Sequence, residues 1–149
     1  ETRILTDAIN VKDAYIINIG IKYNILVKST FNKSEVLLRA TKAVQDYFRI
    51  EKWQINQPII TVDVAKAISN VEGVAGVVPP KTDNPFNLPI VLENKWNTAK
   101  GYNEVLYDFT DPSVVKNGVI YPAKDPSIFE LKFPNVDIEG KVVGDILWD

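Results

Sequence analysis

From Tyr15 to Lys28 apolar and polar residues alternate. Ile17, Ile19, Ile21, Tyr23, Ile25 and Val27 share one face, and Asn18, Gly20, Lys22, Asn24 and Lys28 share the other. A period of two with β-branched residues on the apolar side predicts a long strand, one face buried and the other wet. Ile16 and Leu26 interrupt the polar face, which implies that something covers its ends.

The period then changes. Asn32 can cap a helix start, and Glu35, three residues on, can reach back to it. At about 100° per residue, Val36, Leu37, Ala40, Ala43, Val44, Tyr47 and Phe48 fall in one arc about 140° wide. Glu35, Arg39, Lys42, Gln45, Asp46 and Arg49 fill the opposite arc, so an amphipathic helix of about 17 residues is expected, with Leu38 alone on its polar flank. Lys52 and Trp53 begin a linker to Ile59-Ile60. A second helix starts near Thr61 or Asp63, with Val64, Ala67, Ile68 and Val71 on its apolar stripe and Gly73 as its left-handed stop. Val74, Val77 and Val78 form a short strand that Pro79-Pro80 ends.

Eight of the nine prolines lie between residues 79 and 134, so that half cannot be helical over any length. Ile90 to Leu92 reads as a strand, and Tyr102 to Phe109 as a further element. Asn117-Gly118 signals a hairpin, because both residues tolerate positive φ. Ile128 to Phe133 alternates again, and Glu139-Gly140 is expected to turn the chain into a last segment, Lys141 to Val143. The pattern predicts an α+β fold: a mixed or antiparallel sheet packed against two helices (1–79), followed by a proline-rich, mainly β and loop subdomain (80–149).

Composition narrows the chemistry. The 149 residues include no histidine, cysteine or methionine. That excludes a Ser-His-Asp triad, a thiolate nucleophile, and zinc sites built on imidazole or thiolate. A chain without an initiating methionine is expected to be a fragment or processed piece of a longer one. No stretch approaches the roughly 18 apolar residues of a membrane span, and no signal peptide opens the chain, so a soluble piece with no membrane partner is expected.

The net charge of −2 is uneven: residues 22–52 carry +4 and residues 53–149 carry −5. The basic stretch suggests a nucleic-acid face, but Glu35 with Arg39, Lys42 with Asp46, and Asp46 with Arg49 sit at pairing distance on a helix. A solvated helix face is the simpler account, and no nucleic-acid partner is expected. Asp137, Glu139 and Asp145 form the densest acidic group, yet Asp137-Ile138-Glu139-Gly140 lacks the spacing of a calcium loop. The scattered glycines form no phosphate loop. No catalytic residue, metal ligand or cofactor site is therefore expected. Trp53, Trp96, Trp148 and the tyrosines could stack on sugar rings, but such residues more often anchor cores or interfaces. Leu38, Trp53 and Trp96 are the candidate interface residues.

The order of elements carries a resemblance. A long strand leads to Phe31-Asn32-Lys33-Ser34-Glu35, which opens a helix bearing Ala40, Ala43 and Tyr47. Ile59-Ile60 and a second helix through Val64 and Ile68 follow, closing on Val71-Glu72-Gly73-Val74-Ala75-Gly76-Val77. Over residues 15–80 this resembles the C-terminal part of the baseplate J family of contractile-tailed phages. The wording past residue 80, including Asp125-Pro126-Ser127-Ile128-Phe129-Glu130, is most similar to the wedge subunits of T4-like phages. The resemblance implies a structural virion protein of the tail baseplate. It would be a homodimer that also contacts other baseplate wedge subunits and links wedges into a ring around the hub. A carbohydrate-binding module and a carboxylate-dependent glycosidase stand as alternatives.

Overall fold

In the computed structural model, residues 15–49, 53–122 and 126–146 are described. The first element, β1 (Tyr15–Lys28), is the spine of a five-stranded mixed sheet. Every other element of that sheet pairs with it.

One edge of β1 is antiparallel. It is formed by β3 (Val74–Val78) against Asn24–Val27 and by β4 (Val91–Asn94) against Ile19–Lys22. The other edge is parallel. It is formed by β7 (Ser127–Glu130) against Tyr15–Asn18 and by β8 (Ile138–Ile146) against Ile21–Lys28. Tyr15 and Ile21 donate to the carbonyls of Pro126 and Asp137, whereas Lys28 donates to Gly73 and Asn18 accepts from Lys95. Odd and even residues of an extended strand point their peptide groups to opposite edges, so β7 and β8 share one side and β3 and β4 the other. Each edge is thus a strand that the chain leaves and later rejoins.

Two helices, α1 (Lys33–Tyr47) and α2 (Thr61–Ser69), complete the α+β fold. The apolar face of β1 is sealed: Ile17, Ile19, Ile21, Tyr23, Ile25 and Val27 are fully buried. Each such side chain contributes about 1.5–3 kcal/mol. Val36, Ala40 and Val44 of α1 and Val64 and Ile68 of α2 join the same core. The Asn32 side chain caps α1 by accepting from the Glu35 amide at 3.0 Å, while the Glu35 carboxylate turns instead to Arg39. α2 has no side-chain cap of its own. The Gly118 carbonyl serves it, accepting from the Thr61 amide at 3.0 Å and from Thr61 Oγ1 at 2.6 Å.

Gly118 lies at the tip of a hairpin joining β5 (Val115–Lys116) to β6 (Val119–Ile120), with Asn117 at φ 54 and Gly118 at φ 78. That is the pair of positive angles a tight two-residue turn needs. β6 also pairs with β2 (Ile59–Ile60), giving a small three-stranded sheet. Gly73, at φ 98, ends the α2 turn where a Cβ would press on Val36 and Phe31. Residues on both sides of position 79 contribute to one sheet and one core.

Four expectations are corrected. Tyr102 to Phe109 forms no helix or strand but an irregular segment. The second face of β1 is not wet: Asn18 and Gly20 are buried, and Ile16, Lys22, Asn24, Leu26 and Lys28 are half-covered. β7 stops at Glu130 and does not alternate, because Ile128 and Phe129 are both buried in a strand covered on both faces. Glu139-Gly140 is no turn. It lies inside β8, opposite Lys22 and Tyr23.

Candidate interaction surfaces

The polar face of β1 is held by asparagines. The Asn18 side chain donates to Glu130 Oε1 at 2.8 Å and accepts from the Asn103 amide at 2.6 Å. The Asn94 side chain donates to the Val105 carbonyl at 3.0 Å and accepts from the Tyr107 amide at 2.9 Å. Together they bind residues 103–107, which form no helix or strand, across the sheet. A side-chain amide offers donor and acceptor together, so it can replace the ladder that an irregular segment lacks. These residues read as tethers.

Several charged groups pair with one another. Lys22 meets Glu93 at 3.1 Å, Lys33 meets Asp145 at 3.4 Å and Arg49 meets Asp46 at 3.0 Å, while Arg39 pairs with Glu35. The hydrogen bond to Glu93 raises the affinity of Lys22 for its proton. Two of the pairs expected along α1, Glu35 with Arg39 and Asp46 with Arg49, are formed, which leaves little basic stripe on that helix. The acidic group of Asp137, Glu139 and Asp145 is dispersed. Asp137 is buried and accepts from the Tyr102 phenol at 2.8 and 2.9 Å, Glu139 is exposed, and Asp145 faces Lys33. Burial, then the adjacent Asp137 carboxylate, pushes the Tyr102 phenol up to about 12. The hydrogen bonds from Thr110 hold the exposed Asp108 carboxyl below its usual range. Among the described residues no group of three or more acidic side chains is placed to hold a metal ion.

The three candidate interface residues lie in three different places. Leu38 is 59% exposed on the outer surface of α1. Trp96 is 51% exposed after β4, where with Leu106, Tyr107 and Asp108 it lines a shallow depression of about 480 Å³. Trp53 is different. It is 7% exposed, packed on Phe48 at 5.0 Å and Tyr47 at 5.6 Å between ring centroids, so its ring belongs to this chain's own core and not to a surface. The linker position suggested a surface residue, whereas the α1 terminus folds back over it. Trp148 lies outside the described residues.

Sequence reasoning missed the recesses beside Trp53. Its ring walls a cavity of about 410 Å³ between the end of α1 and β7, and a more open one of about 640 Å³ toward α2. No local pattern signals them, because their walls come from segments far apart in the chain. No protein-family model, curated protein or solved structure matches this chain.

Proposed function

We propose that the chain is a structural subunit of a contractile phage tail baseplate, acting through protein–protein contacts and self-association in the virion. The observation that carries this reading is Leu38. It is an aliphatic residue left 59% exposed on a helix whose other large apolar residues are buried or half-buried, flanked by ionic pairs that solvate the rest of that surface. Exposed Trp96 and Leu106 supply a second apolar surface elsewhere, as contacts with more than one partner require. The baseplate J resemblance of residues 15–80 supplies the setting. Co-purification of the tagged chain with neighbouring baseplate wedge subunits tests it. Light scattering that gives only the 16.8 kDa monomer at high concentration would count against self-association.

A second reading has one observation in its favour. Trp96 is exposed beside the Asp108 carboxylate, an arrangement that can stack on a sugar ring and accept from its hydroxyls. Fluorescence titration with bacterial surface glycans, comparing the chain with its Trp96→Ala variant, separates the two readings.

A further inference from the structure

The open hollow of about 640 Å³ between α1 and α2 is lined by Ala43 and Tyr47 of α1, Ala67 of α2 and the linker residue Trp53. The two alanines leave room that larger side chains would fill. Tyr47 is half-buried, so part of its ring remains accessible.

The charges on this lining have one sign. Asp46 on α1 and Asp63 on α2 are its charged residues, and no lysine or arginine accompanies them. The recess toward β7 differs, since Arg49 and Lys132 line it. Asp46 lends one oxygen, Oδ1, to Arg49 at 3.0 Å. Asp63 is exposed and has no ion pair among the described residues. Burial, and then the Asp63 carboxylate, raise the Tyr47 phenol above its ordinary value, so that carboxylate stands near the ring.

An aromatic ring beside an unpaired carboxylate favours one kind of cation. A guanidinium is planar, lies flat on a ring and offers paired N–H donors to a carboxylate, whereas an ammonium is compact and strongly hydrated. The shape of the hollow decides how such a cation arrives. Small-molecule sites enclose most of their ligand, and this hollow is too open to do so. A side chain whose backbone stays outside fits it better. Ile60, 37% exposed and also part of the lining, offers an apolar contact to the neighbours of that side chain.

We infer that the hollow between α1 and α2 receives an arginine side chain of a different protein, carried on a segment with apolar residues beside the arginine. The inference goes beyond the baseplate reading and stands without it, because the partner is identified by its chemistry alone.

The peptide acetyl-Leu-Arg-Leu-amide serves as the probe. Its citrulline counterpart keeps the shape and loses the charge, and its lysine counterpart keeps the charge and loses the planar fork. In two-dimensional NMR of the full chain, the arginine peptide should shift the backbone amides of Ala43, Asp63 and Ala67. It should bind more tightly than either counterpart. Asp63→Asn should weaken the arginine peptide about two- to fivefold, as for a partly exposed ion pair, and leave the citrulline peptide unchanged. The inference is overturned if the citrulline or lysine peptide binds as tightly, if the shifts fall elsewhere, or if Asp63→Asn changes nothing. Shifts of the same amides on raising protein concentration without peptide would put a second copy of this chain in the hollow and overturn it too. The three peptides on the unaltered chain decide the matter even if the variant does not fold.

Discussion

The ring of Tyr23 lies over Gly140, its cross-strand neighbour on β8, so closely that a Cβ at position 140 would clash with the hydroxyl end of the ring. The phenol then reaches α1, where it meets Thr41 Oγ1 at 2.6 Å and the Leu37 carbonyl at 3.3 Å. One side chain therefore joins β1 and β8 to the helix layer. Gly140→Ala is expected to cost about 1–3 kcal/mol through overpacking. The urea midpoint should fall accordingly. On a Tyr23→Leu background the same substitution should cost much less, since contacting residues are not additive. Equal losses on both backgrounds would refute this account of Gly140.

The two faces of α1 should respond in opposite ways. Val44 is fully buried and Lys42 is exposed. Val44→Asp places an unpaired charge in the core and should destabilise by more than about 3 kcal/mol, whereas Lys42→Glu should stay within about 0.5 kcal/mol. Thermal melts of the two variants check this directly.

Alkaline pH should weaken the protein in part through Tyr102. Its phenol is held up to about 12 in the fold against an ordinary value of 10.0. Between those values the folded state keeps a proton that the unfolded state has lost. The contribution is therefore complete below 10.0 and disappears as pH rises through about 12. Tyr102→Phe should flatten that decline in urea titrations, leaving the shares due to Tyr23 and Tyr47, which burial also raises. At neutral pH the same variant should cost about 1–3 kcal/mol, because buried Asp137 loses its phenol donor. An unchanged alkaline slope would contradict the assignment.

Leu38→Ser separates stability from assembly. The residue is exposed, so the melting temperature should barely change. Self-association measured by light scattering should weaken if α1 forms the contact, and unaltered association would place the interface elsewhere.

The elements legible in the sequence were those whose signal is local. β1 runs from Tyr15 to Lys28 as its alternation predicts, Asn32 caps α1, and Asn117-Gly118 turns the hairpin. Gly140 misled because a glycine between charged residues looks like a turn, and the reason for it is a ring on β1. The supposed wet face of β1 misled for a related cause. Asn18 looks solvent-facing by composition, yet its partners Asn103 and Glu130 come from later segments that no periodicity connects to it. Trp53 resembles a surface aromatic in the sequence because no local pattern marks Tyr47 and Phe48, which pack on it, as its partners.

The interrupted edges of β1 also set a timetable. Its parallel side is supplied by β7 and β8, far downstream in the chain, so this strand is made well before it is completed. As the chain leaves the ribosome, a long aliphatic strand waits half-paired until β7 and β8 arrive. Pairings that distant slow folding and leave an edge open to other chains meanwhile. A shielding partner during synthesis would thus matter more here than in a fold closed by hairpins.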